Sequence, residues 1–304
     1  MESLVIPREE NFESRGDMGQ TPLSLTIEEG QEGLASFLVE ERPPLSHAIR
    51  EGHEALVRLL LTNGVDPDEK DVEERTPLSH AAEMGNEKLV RLLLENNAAI
   101  DDSDIYGKTP LSWSCESGTE LIALLLLDEG ASLEPELEDE DMEVSYPLSY
   151  AVRAQSFAIV RHLLDKGASP DVIDDGGVTP LEQAVMDGDT ALVSLLVDHG
   201  ADPFYQTGNP FPSLVMAANH GKGDIVRLLL GYEAASLEDK SFAVWRALEH
   251  SYDEGHFDVT EILLTQPGLL NVMDDTDKLD FLKLLADVND RIALLIEEVL
   301  GTQR

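Results

Sequence analysis

The chain has 304 residues, 61 Asp and Glu against 21 Lys and Arg, and a formal charge of −40. Phosphate binding needs Lys and Arg gathered on one face, so this balance argues against nucleic acid, and it disfavours an anionic membrane surface for the same reason. The apolar run that contains "IALLLL" at 122–127 falls far short of the roughly 20 residues a membrane-spanning helix needs.

The opening residues 1–20 carry neither a basic start nor a long apolar stretch, so they are expected to be a flexible N-terminal segment and not a secretion signal. One cysteine, Cys115, allows no internal disulfide, and a cytoplasmic or nuclear setting is the expectation. From Thr21 onward one unit recurs. "TPLSLTIEEG" begins a short copy, and the following units place proline at Pro44, Pro77, Pro110, Pro147 and Pro180. The steps between these prolines are equal except for a longer one before Pro147. Ser213 and then Ala247 stand in the same slot further on. The repeat array is expected to run over 21–270 in about eight copies, the fifth lengthened by an acidic insertion near 134–143. The tail, 271–304, has a helical period and is expected to form capping helices over the last open face.

Each position of the unit has a physical reason. In "TPLSHAAEMGNEKLVRLLLENNAAID", Thr76 can cap a helix and Pro77 suits its first turn, where no amide hydrogen bond is lost. The small Ala81–Ala82 pair allows close approach of a neighbour, and Gly85 ends the short helix. A second helix carries the apolar stripe Leu89, Val90, Leu92, Leu93 and Leu94, which a single unit cannot bury alone. Arg58, Arg91, Arg161 and Arg227 share one position on that second helix, and Glu54 and Glu87 lie one helical turn before the first two, a stabilising pair spacing.

The pattern TPL, AA, G, LV, LLL and GAD, recurring at this regular period, resembles the ankyrin repeat. The resemblance implies an all-α, ankyrin-repeat α-solenoid of paired antiparallel helices, with loops projecting from one edge as hairpin fingers. The family has His after TPL, where this chain has Ser24, Ser46, Ser79, Ser112 and Ser149, then Glu182 and Val215. A serine hydroxyl can make some of the same local hydrogen bonds, so little change in stability is expected.

Chemistry finds little footing. Cys115 falls in the small packing slot of Ala82, where a thiol is expected to be buried and inert, and His47 and His80 occupy one slot in successive repeats, too far apart to act together. His53, His199 and His256 flank turns without any metal-ligand spacing, and no glycine-rich phosphate loop appears, so no catalytic residue, metal site or cofactor is expected.

Surface remains. The slot of His80 also holds His47, Trp113, Tyr150, Gln183, Met216 and His250, and the resemblance places it on the concave side, where these side chains can pack between repeats or show in the groove. Loop aromatics add Tyr106, beside Ile105, and then Phe204, Tyr205 and Phe211. No Lys or Arg lies between Lys108 and Arg153, a span with eleven acids, among them Glu138, Asp139, Glu140 and Asp141. The expected function is a non-enzymatic scaffold or adaptor for a basic protein segment. Tyr106, Trp113, Tyr150, Phe204, Tyr205 and Phe211 would anchor the partner, and the 138–141 carboxylates would steer it. The alternative is an enzyme or small-molecule binder with a pocket in the concave face; a purely self-assembling role is a third reading.

Overall fold

The computed structural model describes residues 44–134, 146–174, 176–204, 212–232, 237–266, 282–283, 285 and 290–301. Among them are fifteen helices and no strand. The expected short first copy and nearly all of the acidic insertion, including 138–141, lie outside the described residues. The chain divides into two compact units, Met1–His162 and Leu163–Arg304.

In the first unit, helices come in pairs: α1 (Pro44–Arg50) with α2 (Glu54–Thr62), α3 (Pro77–Glu83) with α4 (Glu87–Glu95), and α5 (Pro110–Glu116) with α6 (Glu120–Asp128). They are followed by α7 (Pro147–Arg153) and α8 (Phe157–Asp165), the latter containing the division between units. The first helices α1, α3, α5 and α7 stack in order, as do the second helices α2, α4 and α6. Leu45, Leu78 and Leu111 of the first row and Leu89, Leu93, Ile122 and Leu126 of the second are sealed from water, at 0–1% exposure. Alanines at 48, 81 and 82 are wholly buried and let the rows approach. One side chain ties one repeat to the next: the Thr119 hydroxyl reaches Ala82 O at 3.0 Å and Ser114 O at 3.2 Å. On the outer face Glu87 pairs with Arg91 at 2.8 Å and Glu54 with Arg58 at 3.6 Å, the one-turn pairing expected from the sequence.

The second unit continues the pairing with α9 (Pro180–Asp187) and α10 (Thr190–Asp198), α11 (Ser213–Asn219) and α12 (Gly223–Leu230), and α13 (Leu237–Asp253) and α14 (Phe257–Leu264). The Lys222 ammonium donates to Val185 O at 2.9 Å and Met186 O at 2.7 Å, neutralising the carbonyl end of α9. One element departs from the repeat expectation. The proline slot at Ala247 predicts a short helix, yet α13 has 17 residues and begins well upstream, at Leu237. No Thr-Pro pair interrupts "LEDKSFAVWRALEHSYD", so nothing in it stops a longer helix. Beyond it, α15 (Asp290–Gly301) packs on α14, with Ile292 and Ile296 buried and Arg291 joined to Glu261 at 3.1 Å.

The caps explain the serines. The Thr76 hydroxyl accepts the Ser79 N–H and lies 3.0 Å from the Ser79 hydroxyl; Thr109 and Ser112 repeat the arrangement at 3.3 Å. Thr179 and Glu182 form a reciprocal capping box instead. Where the threonine is missing, the serine is stranded. Pro43 and Tyr146 stand in the threonine position, and among the described residues the buried hydroxyls of Ser46 and Ser149 have no hydrogen-bond partner. Ser79→Ala is therefore expected to cost about 0.5–1.5 kcal/mol in a urea unfolding experiment, while Ser149→Ala leaves stability unchanged or raises it. Equal losses for the two would contradict this difference in partnering.

Candidate functional site

Three fingers are built by the same carboxylate. Asp71 Oδ1 accepts the N–H groups of Glu73 and Arg75, each at 3.0 Å, which closes the turn between α2 and α3. Asp104 does the same for Tyr106 and Lys108, each at 2.9 Å, and Asp174 for Gly176 at 3.0 Å and Val178 at 2.9 Å. The turn needs a left-handed residue, Gly107 or Gly177 in two fingers, but Glu74 takes that place in the first at φ 57°. The second carboxylate oxygen fastens the finger to the helix behind it. Asp71 Oδ2 holds His80 Nε2 at 2.8 Å, and Asp104 Oδ2 accepts the Trp113 indole N–H at 3.0 Å. In the third finger Gln183 turns away and bonds Asp187.

Between the fingers and the first helices of the first unit runs an alternating stack of cations and rings. The Arg75 guanidinium lies 3.5 Å from the centre of the Trp113 ring, and the Lys108 ammonium 4.5 Å from the same ring and 4.7 Å from that of Tyr150. Arg153 lies 4.9 Å from the Tyr150 ring. Each such contact contributes roughly 0.5–2 kcal/mol depending on how far water is excluded. Two of these cations also meet carboxylates: Arg75 donates to Glu83 and to Ser79 O, and Lys108 to Glu116 at 2.8 Å. Arg75 and Lys108 hold the same register in successive repeats, as do Trp113 and Tyr150.

Titration follows from this geometry. Burial would raise the Asp71 carboxyl, but hydrogen bonds from His80 and from the Arg75 and Glu73 amides outweigh it and hold it below the ordinary carboxylate value. Burial, reinforced by the nearby Arg75 charge, pushes His80 below its ordinary 6.5. The imidazole is accordingly neutral at pH 7 and donates from Nε2 to Asp71. Cys115 is fully buried, and that burial pushes its thiol up to about 12.

The expected contact residues separate into groups. Tyr106 stands at a finger tip, half exposed, next to an equally exposed Ile105. Trp113 is partly covered by its two cations, and Tyr150 is buried at 9% exposure. Phe204 is buried at 6% exposure, with its ring 6.4 Å from the Tyr232 ring. Tyr205, Phe211, Glu138, Asp139, Glu140 and Asp141 lie outside the described residues.

One surface residue escaped sequence reasoning. Val72 is 91% exposed and holds, one repeat earlier, the position of Ile105. The two tips are joined through the backbone, the Ile105 N–H donating to Glu73 O at 3.1 Å. Lys70 adds a bond to Ser103 O, and Asp68 accepts the Ala99 N–H. Next to Val72 in the chain stand the exposed acids Glu73 and Glu74, while Asp101 accepts the Ser132 N–H of the next repeat. Repeat register is the signal that could have found Val72, since its apolar side chain in a turn otherwise has no explanation.

A family model described as ankyrin repeats (3 copies) matches residues 45–136 and 133–207. Among solved structures, the chain is similar to the ankyrin repeat domain of Bcl-3, described as a unique member of the IkappaB protein family. The identity is 28% and the TM-score 0.53, over 63% of this chain and 87% of that one. No curated protein sequence matches. Among the described residues no cluster of His, Cys, Asp and Glu is placed to hold a metal ion, and no described helix is long and apolar enough to cross a membrane.

The buried groups set how stability and reactivity respond to solution conditions. Because the folded state keeps His80 deprotonated below the point where the unfolded chain takes up a proton, its contribution to stability is present above pH 6.5 and lost as pH falls below it. The depressed Asp71 carboxyl adds a loss at lower pH, as it falls below 3.8 toward the folded value. His80→Gln, which keeps a donor for Asp71, is expected to flatten the fall in unfolding free energy as pH drops below 6.5. An unchanged slope would contradict the assignment. The Cys115 thiol should resist a thiol reagent in the native protein and react only at the rate of unfolding; rapid native labelling would count against its burial.

Proposed function

Because the chain belongs to the ankyrin-repeat family, whose repeats generally mediate protein–protein interactions, we propose that it is a non-enzymatic adaptor. Its finger loops and adjoining groove take up a basic protein segment. The observation that carries this reading is the tip row of the first unit, where Val72, Ile105 and Tyr106 expose apolar side chains amid acids. Apolar side chains on rigid loops supply contact area at little entropic cost, and acids around them speed the approach of a cationic partner. Trp113 adds the part of its ring left uncovered.

Tyr150 and Phe204 have a supporting place in this reading, the first holding Lys108 and Arg153 and the second packing against Tyr232. Tyr205, Phe211 and the carboxylates at 138–141 remain proposed contacts, the acids acting by long-range steering. The charge of −40 favours a protein partner over nucleic acid or an anionic membrane. The single, buried thiol fits the cytoplasm or nucleus. A small-ligand pocket or catalytic groove has weaker support, because the protein's own cations lie against the Trp113 and Tyr150 rings that would line it.

The test is binding of Lys- and Arg-rich peptides bearing apolar residues, with Val72, Ile105 and Tyr106 all changed to Ser. The triple variant is expected to lose about tenfold or more in affinity, and Glu73→Gln alone about threefold or less. High salt should weaken the wild type through its association rate. Undiminished peptide affinity in the triple variant would sink the reading.

A further inference from the structure

We infer that His199 is a proton-controlled latch within the second unit, closed when its imidazolium bridges the ends of α10 and α8 and opened when it loses a proton. Both of its ring nitrogens face acceptors. Nδ1 lies 2.8 Å from Leu195 O, one turn back on α10, and Nε2 lies 3.2 Å from Asp165 Oδ1 at the end of α8. Asp165, Leu195 and His199 all belong to the second unit. A carbonyl cannot donate, so Nδ1 holds a proton; Nε2 then bonds the carboxylate only when it is protonated too. The neutral ring turns a lone pair toward Asp165 and the bridge is lost. Repeat register supports the assignment. Asn63 and Asn96 fill the same slot in the first unit, and their side-chain amides donate to Leu59 O at 2.8 Å and Leu92 O at 2.7 Å. Asparagine thus caps the helix end with no titrating group. Histidine at 199 keeps that bond and adds a second arm that works only when charged.

The surroundings favour the proton. The bond to Leu195 O and then that to Asp165, aided by the charges of Asp165 and Asp198, outweigh partial burial and hold the imidazole above its ordinary 6.5. The carbonyl end of α10 adds its negative dipole. Among the other elements packed on α10, α9 brings Glu182, closed into its capping box, and Asp187, bonded by Gln183. From α12 come Asp224 and Arg227, with Tyr232 just past its end in the slot of His199. On α8, Arg161 and His162 precede Asp165 by about a turn, and Lys166 follows it. The His199 side chain is 28% exposed, so water reaches the pair and the latch is a weak one. Because folding raises this group, its contribution is fully present below pH 6.5 and is lost as pH rises through the folded value. That sign is opposite to that of His80, so mild acidification tightens the second unit where the first begins to lose stability. His199 directly precedes Gly200 and the finger whose Asp202 N–H donates to Asp171, so the latch steadies the base of that finger.

The experiment follows the imidazole nitrogens of the full chain by two-bond proton–nitrogen NMR through a pH titration. The His199 signals are identified by their loss in His199→Asn, and the fold of each variant is checked by circular dichroism. The His199 midpoint is expected above 6.5 in the wild type and lower in Asp165→Asn. Native-state hydrogen exchange of the α10 amides, corrected for intrinsic rates, reads the latch itself. Protection is expected to be about twofold higher near pH 6 than near pH 8 in the wild type. His199→Asn, which restores the capping used in the first unit, is expected to show no such rise. A midpoint at or below 6.5, or one that Asp165→Asn leaves unmoved, overturns the charged bridge. A raised midpoint with equal protection changes in wild type and His199→Asn overturns the latch.

Discussion

A single carboxylate per repeat holds the candidate surface together. Asp71 and Asp104 each close a finger turn with one oxygen and grip the helix behind it with the other, through His80 and Trp113. Without the first contact the turn loses its geometry; without the second it has no fixed angle to the helix row. The exposed side chains at the tip, Val72, Ile105 and Tyr106, sit one or two positions from these aspartates, so their placement depends on that grip. A binding surface carried on loops gains affinity when the loops are ordered beforehand, because less freedom is lost on association.

The same economy governs charge. In a chain of −40 three cations of the first unit are engaged with rings or with carboxylates of the helices: Arg75 with Trp113 and Glu83, Lys108 with Trp113, Tyr150 and Glu116, and Arg91 with Glu87. The acids at the tips are left with little compensation. The stack thus holds the Arg75 and Lys108 charges on rings and helix carboxylates, while Lys70 meets the finger acid Asp102.

Much of the fold was legible because the repeat writes itself in local chemistry. Thr76–Pro77, Thr109–Pro110 and Thr179–Pro180 announce helix starts that depend only on groups within one turn, and the structure starts helices there. The long α13 was not legible from register, because its extra turns lack any stop signal and the repeat pattern had decayed. The site was legible in part. Tyr106 could be placed on a loop from sequence, but the burial of Phe204 depends on Tyr232, far downstream in the chain, and no local pattern reports that. The Arg75–Trp113 contact escaped for the same reason, since it joins one finger to the next repeat. Val72 was hidden in another way: a lone valine in an acidic turn carries no motif, and only its alignment with Ile105 gives it meaning.

If the tips are the binding surface, partners meet the fingers of the first unit and not the outer helical face. Photo-crosslinking from a reactive side chain placed at position 105, compared with one at position 121, tests this most directly. Ile105 and Leu121 are similarly exposed, at 49% and 57%, one on a finger and the other on α6. A basic peptide with apolar residues is predicted to crosslink from 105, with high salt suppressing the reaction and 121 yielding little. Equal yields from both positions, or crosslinking from 121 alone, would contradict it.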